Sequence, residues 1–577
     1  MPEIVLSTLN AKYIHAAFGL RYLMANLGPL QASASIVEFD IKQRPLDIAE
    51  VLLAQKPRII GFGVYIWNVA QTAQVIATIK KLQPELTVVL GGPEVSYETE
   101  GQSIVQLADY VVTGEADLKF GEVCRKLLGG EKPADKVICA EPPELSQLAL
   151  PYHLYDEQDV AHRIIYVEAS RGCPFTCEFC LSSLDIPVRQ FPLPALLEQL
   201  QRLLDRGVKQ FKFVDRTFNL NLSVSRILLE FFLERHRPGQ FYHFEMIPDR
   251  LPAGLREIIA RFPPGSLQFE VGVQTFNQEV ATLISRRQDY ARLEDNFRFL
   301  RGNTGVHVHA DLIAGLPGES LDSFAAGFDR LIGLEPQEIQ VGILKRLRGT
   351  PIVRHDSGWQ MLYDSNPPYE ILQNRLIDFT AMHSLRRFAR YWDLVGNSGN
   401  FVQTTPFIWS NAGGHDIGVP AQSGAPRPTS TLTIESRDLR PFPLTLPSPQ
   451  GEGTNVGQPA ANLSVTKFPF QDTSPFYSFL HFTQWLHGRV GRTDRIALVR
   501  LMELLFEYLT RERGIAPCKT AKAMWSDYKR GGRNDKPKFL KEFLVNDGAT
   551  VGVTQRLAAP KRQARHAAGP LKAQEAG

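Results

Sequence analysis

At 577 residues, with a hydrophobic fraction of 44% and 64 Lys plus Arg against 61 Asp plus Glu, the chain has enough length for two or three cores and a formal charge of only +3. That balance calls for no polyanionic partner, so nucleic-acid binding is not expected. No apolar stretch is long enough to span a bilayer, and Met1-Pro2-Glu3 runs straight into a strand-like segment without a signal-peptide core, so no membrane partner and a cytoplasmic location are expected.

Residues 1–130 alternate short apolar runs with amphipathic ones, the pattern of a parallel sheet covered on both faces. Strands are predicted at 3–9, 35–40, 58–64, 86–91 and 109–112, giving an α/β, doubly wound, Rossmann- or flavodoxin-like domain. Residues 131–162, with Pro133, Pro142, Pro143 and Pro151, read as a linker. A second alternation fills 163–350, with strands near 164–170, 210–215, 241–247, 267–274, 306–314 and 338–345 and helices such as 194–205, 223–235 and 320–333. About six such units with right-handed crossovers make a partial TIM-type barrel. Beyond it, 351–420 and 466–550 read as a mostly helical region, with helical patterns at 369–390 and 475–513. Residues 421–465, rich in Pro, Ser, Thr and Gly, are expected to be a disordered insertion, and Pro443 to Gly453 resembles translated interspersed repeats of bacterial genomes. A tail from 551 to 577, carrying Lys561, Arg562 and Arg565, is expected to be disordered and solvated.

Of the six cysteines, Cys173, Cys177 and Cys180 fall together in the run RGCPFTCEFC at 171–180, directly after a predicted strand. Clustered thiols in a chain with too few cysteines for a disulfide scaffold point to metal chemistry, and a loop at the carboxyl edge of a barrel is where sites are built. Three thiolates can hold an iron-sulfur cubane with one iron left open. A structural zinc site is the other reading; it needs a fourth ligand, with His153 and His162 nearby, and usually presents cysteines in two separated pairs.

This Cys-x3-Cys-x2-Cys loop after a first barrel strand resembles the radical S-adenosylmethionine (SAM) superfamily. The resemblance implies a 4Fe-4S cluster on Cys173, Cys177 and Cys180 and reductive cleavage of SAM to a 5'-deoxyadenosyl radical, fed by a low-potential donor such as flavodoxin or ferredoxin. By the same resemblance Phe179 lies near the adenine, and Glu270 and Gln274 contact the ribose and amino-acid parts of SAM. Asp215, followed by Arg216, lies near its amino group, and Gly315, in the turn that begins at Asp311, packs against the adenine. Gly172 would let the backbone approach the cluster.

In the first domain Gly61 and Gly63 end one predicted strand, Gly91, Gly92, Pro93 and Glu94 end the next, and Gly114 and Glu115 follow the last. This order resembles the cobalamin-binding domains that precede many radical SAM barrels and implies that these residues border cobalamin. The Asp-x-His-x-x-Gly motif that ligates cobalt from below is absent; the same loop reads Asn10-Ala-Lys-Tyr-Ile-His15, with His15 starting a helix.

The expected function is a cobalamin-dependent, methyltransferase-like radical SAM enzyme. It would methylate or rearrange an unreactive carbon of a small-molecule, natural-product or lipid substrate. Tyr391, Trp392, Phe401 and Trp409 either line a substrate cleft or form core. Two alternatives are a tRNA methylthiotransferase, whose second cluster needs three cysteines where the first domain and linker offer Cys124 and Cys139, and a non-catalytic cobalamin or redox sensor.

Overall fold

The computed structural model describes residues 1–410, 474–544 and 560–567. Its first sheet is formed by β1 (Ile4–Asn10), β2 (Ala34–Asp40), β3 (Ile59–Gly63), β4 (Thr87–Gly91), β5 (Tyr110–Gly114) and β6 (Val137–Ala140), in the order β2-β1-β3-β4-β5-β6 and parallel throughout. Every residue of β1 and β3 is buried, as expected of central strands sandwiched by helices. This is the flavodoxin order, in which the strand sequence reverses direction between β1 and β3, leaving a crevice at their carboxyl ends. The expected linker is only partly irregular. Val137–Ala140 adds a sixth strand, because Val111 to Gly114 offer an open edge with which it pairs. His15 does not open a helix: the helix starts at Phe18, while His15 bridges to Ile164 and its Nδ1 lies 2.6 Å from the Tyr166 hydroxyl.

The second sheet runs through β7 (Ile165–Val167), β8 (Gln210–Phe213), β9 (Phe241–Met246), β10 (Leu267–Gln274), β11 (His307–Ala314) and β12 (Glu338–Ile343), neighbours in space in the order of the chain and all parallel. Helices Leu193–Asp205, Leu222–Glu234, Ala253–Ala260, Tyr290–Asn303 and Leu321–Gly333 fill the crossovers, which makes the partial (β/α)6 barrel. All strand ends therefore point their loops to one face.

The carboxy-terminal region is less continuous than its periodicity suggested. Residues 371–373 pair with 362–363, and the helix begins only at Phe379, capped by the Asp378 carboxylate accepting from the Ala381 N–H. The pattern at 475–513 divides into helices Pro475–Val490 and Leu498–Glu507, with Gly491 in the left-handed region at the break. Tyr391, Trp392 and Phe401 are buried; Phe388 stacks on Trp392, both rings meet Phe328 and Phe479 edge-on, and Phe476 lies tilted against Phe388. The aromatic cluster is core, not cleft.

Part of the tail is also structured. Residues 561–567 form a short helix in which Arg562 pairs with Glu338 at 2.8 Å and Asp393 at 2.7 Å, and His566 lies against His307. The buried Glu338 carboxylate attracts this cation, which is why the basic segment is not simply solvated. The expected insertion at 421–465 lies outside the described residues. No helix among the described residues is long and apolar enough to cross a membrane.

Phe388→Ala would open a cavity where five aromatic rings meet, and is expected to cost about 3–5 kcal/mol, read as a lower denaturant midpoint of the whole chain.

Candidate functional site

Two antiparallel pairs, Ser170 with Gln190 and Arg171 with Arg189, close the neck of a loop that carries all three clustered cysteines. Inside it the Cys173 N–H donates to the Asp185 carbonyl at 2.9 Å. Gly172 is needed at the neck: its φ is +88°, and a Cβ would lie 2.8 Å from the carbonyls of Asp185 and Pro187. The expected reason for this glycine, room beside a cluster, is replaced by closure of the loop itself. The far half of the loop is anchored by Glu178, a residue no sequence signal singled out. Its buried carboxylate accepts from Ser285 Oγ at 2.7 Å, has His355 Nε2 at 2.8 Å and meets Arg354.

Cys173, Cys177, Cys180 and Phe179 border one cavity of about 240 Å³, together with Arg216, Glu245, Glu270, Gly272, Gln274, Arg286 and Asp311. Cys173 and Cys177 are buried, and burial pushes the Cys173 thiol up from its ordinary value. Arg286 Nη1 donates to Cys177 Sγ at 3.5 Å, and the same guanidinium meets the Gly272 carbonyl. A bulge between Gly272 and Gln274 breaks the β10 register, and Gln274 takes a φ of +70°. Such conformations in a non-glycine residue concentrate at functional sites. Gln274 Oε1 and Arg286 Nε are both shielded from solvent and have no partner within the protein.

Those unpartnered atoms beside three thiols supply what a cluster and its chelated ligand require: sulfur donors, room well beyond a single ion, and polar groups still to be satisfied. His153 and His162, the expected candidates for a fourth zinc ligand, are exposed and border neither of these two cavities. The residues fit a cluster better than a zinc ion.

Behind the cavity, inward residues of neighbouring strands form a belt. Glu270 lies 3.0 Å from His243 Nε2 and 3.4 Å from Lys212 Nζ; His309 lies 3.3 Å from Asp311 and 3.7 Å from Glu338. Burial would raise the Glu270 carboxyl, but His243, Lys212 and His309 together hold it below the usual range. Burial would likewise lower His309, yet Asp311, Glu338 and Glu270 outweigh it and raise the imidazolium to about 9.

Two expected members of this site lie elsewhere. Asp215 is buried behind the loop, accepting from Ser170 Oγ at 2.6 Å and the Ala169 N–H at 3.0 Å, and does not border the cysteine cavity. Burial raises its carboxyl to about 6, and it acts on the loop's neck. Gly315 faces the carboxy-terminal region, where a Cβ would strike Ile371 at 2.7 Å and Met382 at 3.1 Å. Its position is set by that packing.

A larger cavity, about 400 Å³, opens at the carboxyl ends of the first sheet. Gly61, Gly63, Gly91, Gly92, Gly114 and Glu115 all border it, with Phe18, Tyr22 and Tyr65 as apolar walls. The glycines have different reasons. A Cβ at Gly61 would meet the Phe120 ring at 2.8 Å, at Gly114 the Ala140 carbonyl at 2.6 Å, and at Gly92, whose φ is +104°, the Val64 carbonyl at 2.5 Å. Protein packing requires those three. At Gly63 and Gly91 the nearest atoms are 3.5 and 3.6 Å away, ordinary van der Waals contact, so packing within the protein does not require glycine at those two strand ends of the cavity. Pro93 and Glu94 do not border this cavity: Glu94 is buried under Arg348, at 3.0 Å, and the Tyr369 hydroxyl, at 2.7 Å, because a buried carboxylate needs such partners.

The two cavities adjoin. Ser182 and Arg216 border both, and Arg171, Gly172 and Asp185 carry the neck of the cysteine loop into the wall of the larger one. Arg216 pairs with Glu245 at 3.0 Å. Sequence reading placed Arg216 with Asp215 near the amino group of SAM and missed Asp117, Glu168 and Arg286, whose roles depend on contacts across the fold.

The radical SAM superfamily pattern matches residues 167–331, the B12 binding domain 4–123, and a protein of unknown function (DUF4080) 357–413. An uncharacterized methyltransferase of Pyrococcus horikoshii is 30% identical over 199 residues, which cover 30% of this chain and 43% of that protein. The cobalamin-dependent radical SAM methyltransferase TokK of Streptomyces tokunonensis is 22% identical over 316 residues, 48% of this chain and 45% of the relative. The chain thus spans less than half the length of these relatives. The structure of TsrM from Kitasatospora setae with cobalamin and a [4Fe-4S] cluster superposes with a TM-score of 0.50 at 17% identity, covering 64% of this chain and 82% of that one, a likeness of fold.

Because the His309 pKa is raised from 6.5 to about 9 on folding, its contribution to stability is complete below 6.5 and lost as pH climbs through 9. Wild-type melting temperature is expected to fall between pH 7 and 9, and His309→Gln is expected to flatten that slope; an unchanged slope in thermal melts contradicts the assignment.

Proposed function

We propose that this chain, whose barrel is a radical SAM domain and whose first domain is a B12-binding domain, transfers a methyl group to an unreactive carbon of a small molecule. The observation that carries this reading is the shared wall: a cysteine-bordered cavity and a glycine-floored one meet at Ser182 and Arg216. When bound, the cluster and SAM supply a carbon-centred radical and cobalamin supplies the methyl group.

The chain's own residues provide position and exclusion of water. Cys173, Cys177 and Cys180 would hold the cluster, with the Arg286 N–H directed at the Cys177 sulfur to stabilise thiolate charge. Gln274 and Arg286 each offer an unpartnered polar atom to the polar end of SAM, with Glu270 and Phe179 along the same wall. Gly63 and Gly91 would let a corrin lie against bare backbone, and Phe18, Tyr22 and Tyr65 would keep water from its edge. Arg216, anchored by Glu245, stands where the substrate would pass between the cavities.

The methylthiotransferase reading has less support. A second cluster in the first domain needs three thiolates, whereas Cys124 is fully buried with its thiol pushed up to about 12 and Cys139 lies exposed on β6. A sensor without turnover would have no need of the unpartnered Gln274 and Arg286 atoms.

Anaerobic reconstitution followed by iron, sulfide and cobalt analysis tests the cofactors, and 5'-deoxyadenosine release under a low-potential one-electron donor tests the chemistry. Iron and cobalt together with 5'-deoxyadenosine are expected. Cys177→Ala is expected to lower 5'-deoxyadenosine release by at least about a hundredfold with the fold retained by circular dichroism. Release at the wild-type rate would overturn the proposal.

A further inference from the structure

The neck of the cysteine loop is gripped by the first domain. Arg171 Nη1 donates to Glu115 Oε2 at 2.8 Å and Asp117 Oδ2 at 2.8 Å, Nη2 reaches Asp117 Oδ1 at 3.1 Å, and Nε donates to Glu168 Oε1 at 3.0 Å. On the other arm of the neck, Arg189 meets the same Glu115 and pairs with Asp185 at 3.1 Å, the residue whose carbonyl accepts from Cys173. Arg171 is enclosed further by the Tyr22 and Phe191 rings, 4.6 and 5.6 Å from its guanidinium carbon. Its side chain is only 14% exposed, and that of Asp117 8%.

Glu115 and Asp117 also border the first-domain cavity, immediately after the β5 end at Gly114. A ligand seated there presses on residues 114–117, and those residues hold both arms of the loop. Neither carboxylate can withdraw without leaving a buried guanidinium short of its counter-charge, which is strongly unfavourable away from water. The 114–117 segment and the neck therefore order together or loosen together.

We propose that Glu115 and Asp117 are positioning residues that couple the two cofactor sites, so that cobalamin in the first-domain cavity and a cluster on Cys173, Cys177 and Cys180 each raise the affinity of the chain for the other. This rests on the reading of that cavity as a cobalamin site. Coupling of this kind is reciprocal: whichever ligand binds first orders the neck, and the second meets it already ordered.

The test uses the full chain and hydroxocobalamin, with affinity read by equilibrium dialysis under anaerobic conditions, for the cluster-reconstituted and the chelator-stripped protein. Affinity about five-fold or more tighter with the cluster is expected. In Glu115→Gln and in Asp117→Asn, tested separately so that one folded variant suffices, the ratio is expected to approach one while iron content is kept. Reciprocally, hydroxocobalamin is expected to slow iron loss to a chelator in the wild type and not in the variants. Equal affinity with and without the cluster overturns the coupling alone, and a ratio unchanged in both variants overturns the role of these carboxylates. Absence of cobalamin binding in either state overturns the coupling and the functional reading together.

Discussion

The guanidinium of Arg171 is the contact on which the arrangement of the molecule depends. It sits where two α/β domains meet, shielded from water, and draws carboxylates from both: Glu115 and Asp117 from the first domain, Glu168 from the barrel. Such a cation is tolerable only because its partners are complete, and removing one partner of a buried pair costs about 3–5 kcal/mol. Glu168 shows the strain of the position: burial lifts its carboxyl to about 7 even against the pull of Arg171. The loop that carries the cysteines thus has its neck fixed by charges from outside the barrel and its far half fixed by Glu178 from within.

This explains how two common folds make one site. A flavodoxin-order sheet places its crevice at the carboxyl ends of β1 and β3, and a parallel barrel collects its loops at the carboxyl ends of its strands. The two faces meet across residues 170–190, so the glycine floor and the thiols become neighbours. Second contacts keep the faces aligned, among them Arg348 with Glu94 at 3.0 Å and Arg163 with Glu38 at 3.1 Å.

Most of the architecture could be read from the sequence because it is carried by local periodicity. The eleven expected strands fall within a few residues of their places, β6 being the one that the sequence read as linker, and the cysteine loop sits directly behind the first barrel strand as its spacing implied. Misplaced residues share one property: their partners are distant in the chain. Glu94 follows a glycine pair at a strand end and looks like a cavity residue, but Arg348, 254 positions away, takes its carboxylate. Asp215 looks like a ligand contact and instead braces the neck through Ser170 and Ala169. Arg562 reads as a solvated tail charge, but the buried carboxylate of Glu338, 224 positions away, takes it at 2.8 Å. Nothing in the local pattern of these residues distinguishes a partner across the fold from a ligand.

The floor of the first-domain cavity carries a practical consequence. Gly63 and Gly91 are the places where a methyl group can be introduced in ordinary contact with its neighbours, so under the proposed function they are the positions at which to vary the pocket and ask which corrinoids it admits. Gly61, Gly92 and Gly114, a few ångströms away, offer no such freedom, and altering them would report on folding in place of selectivity.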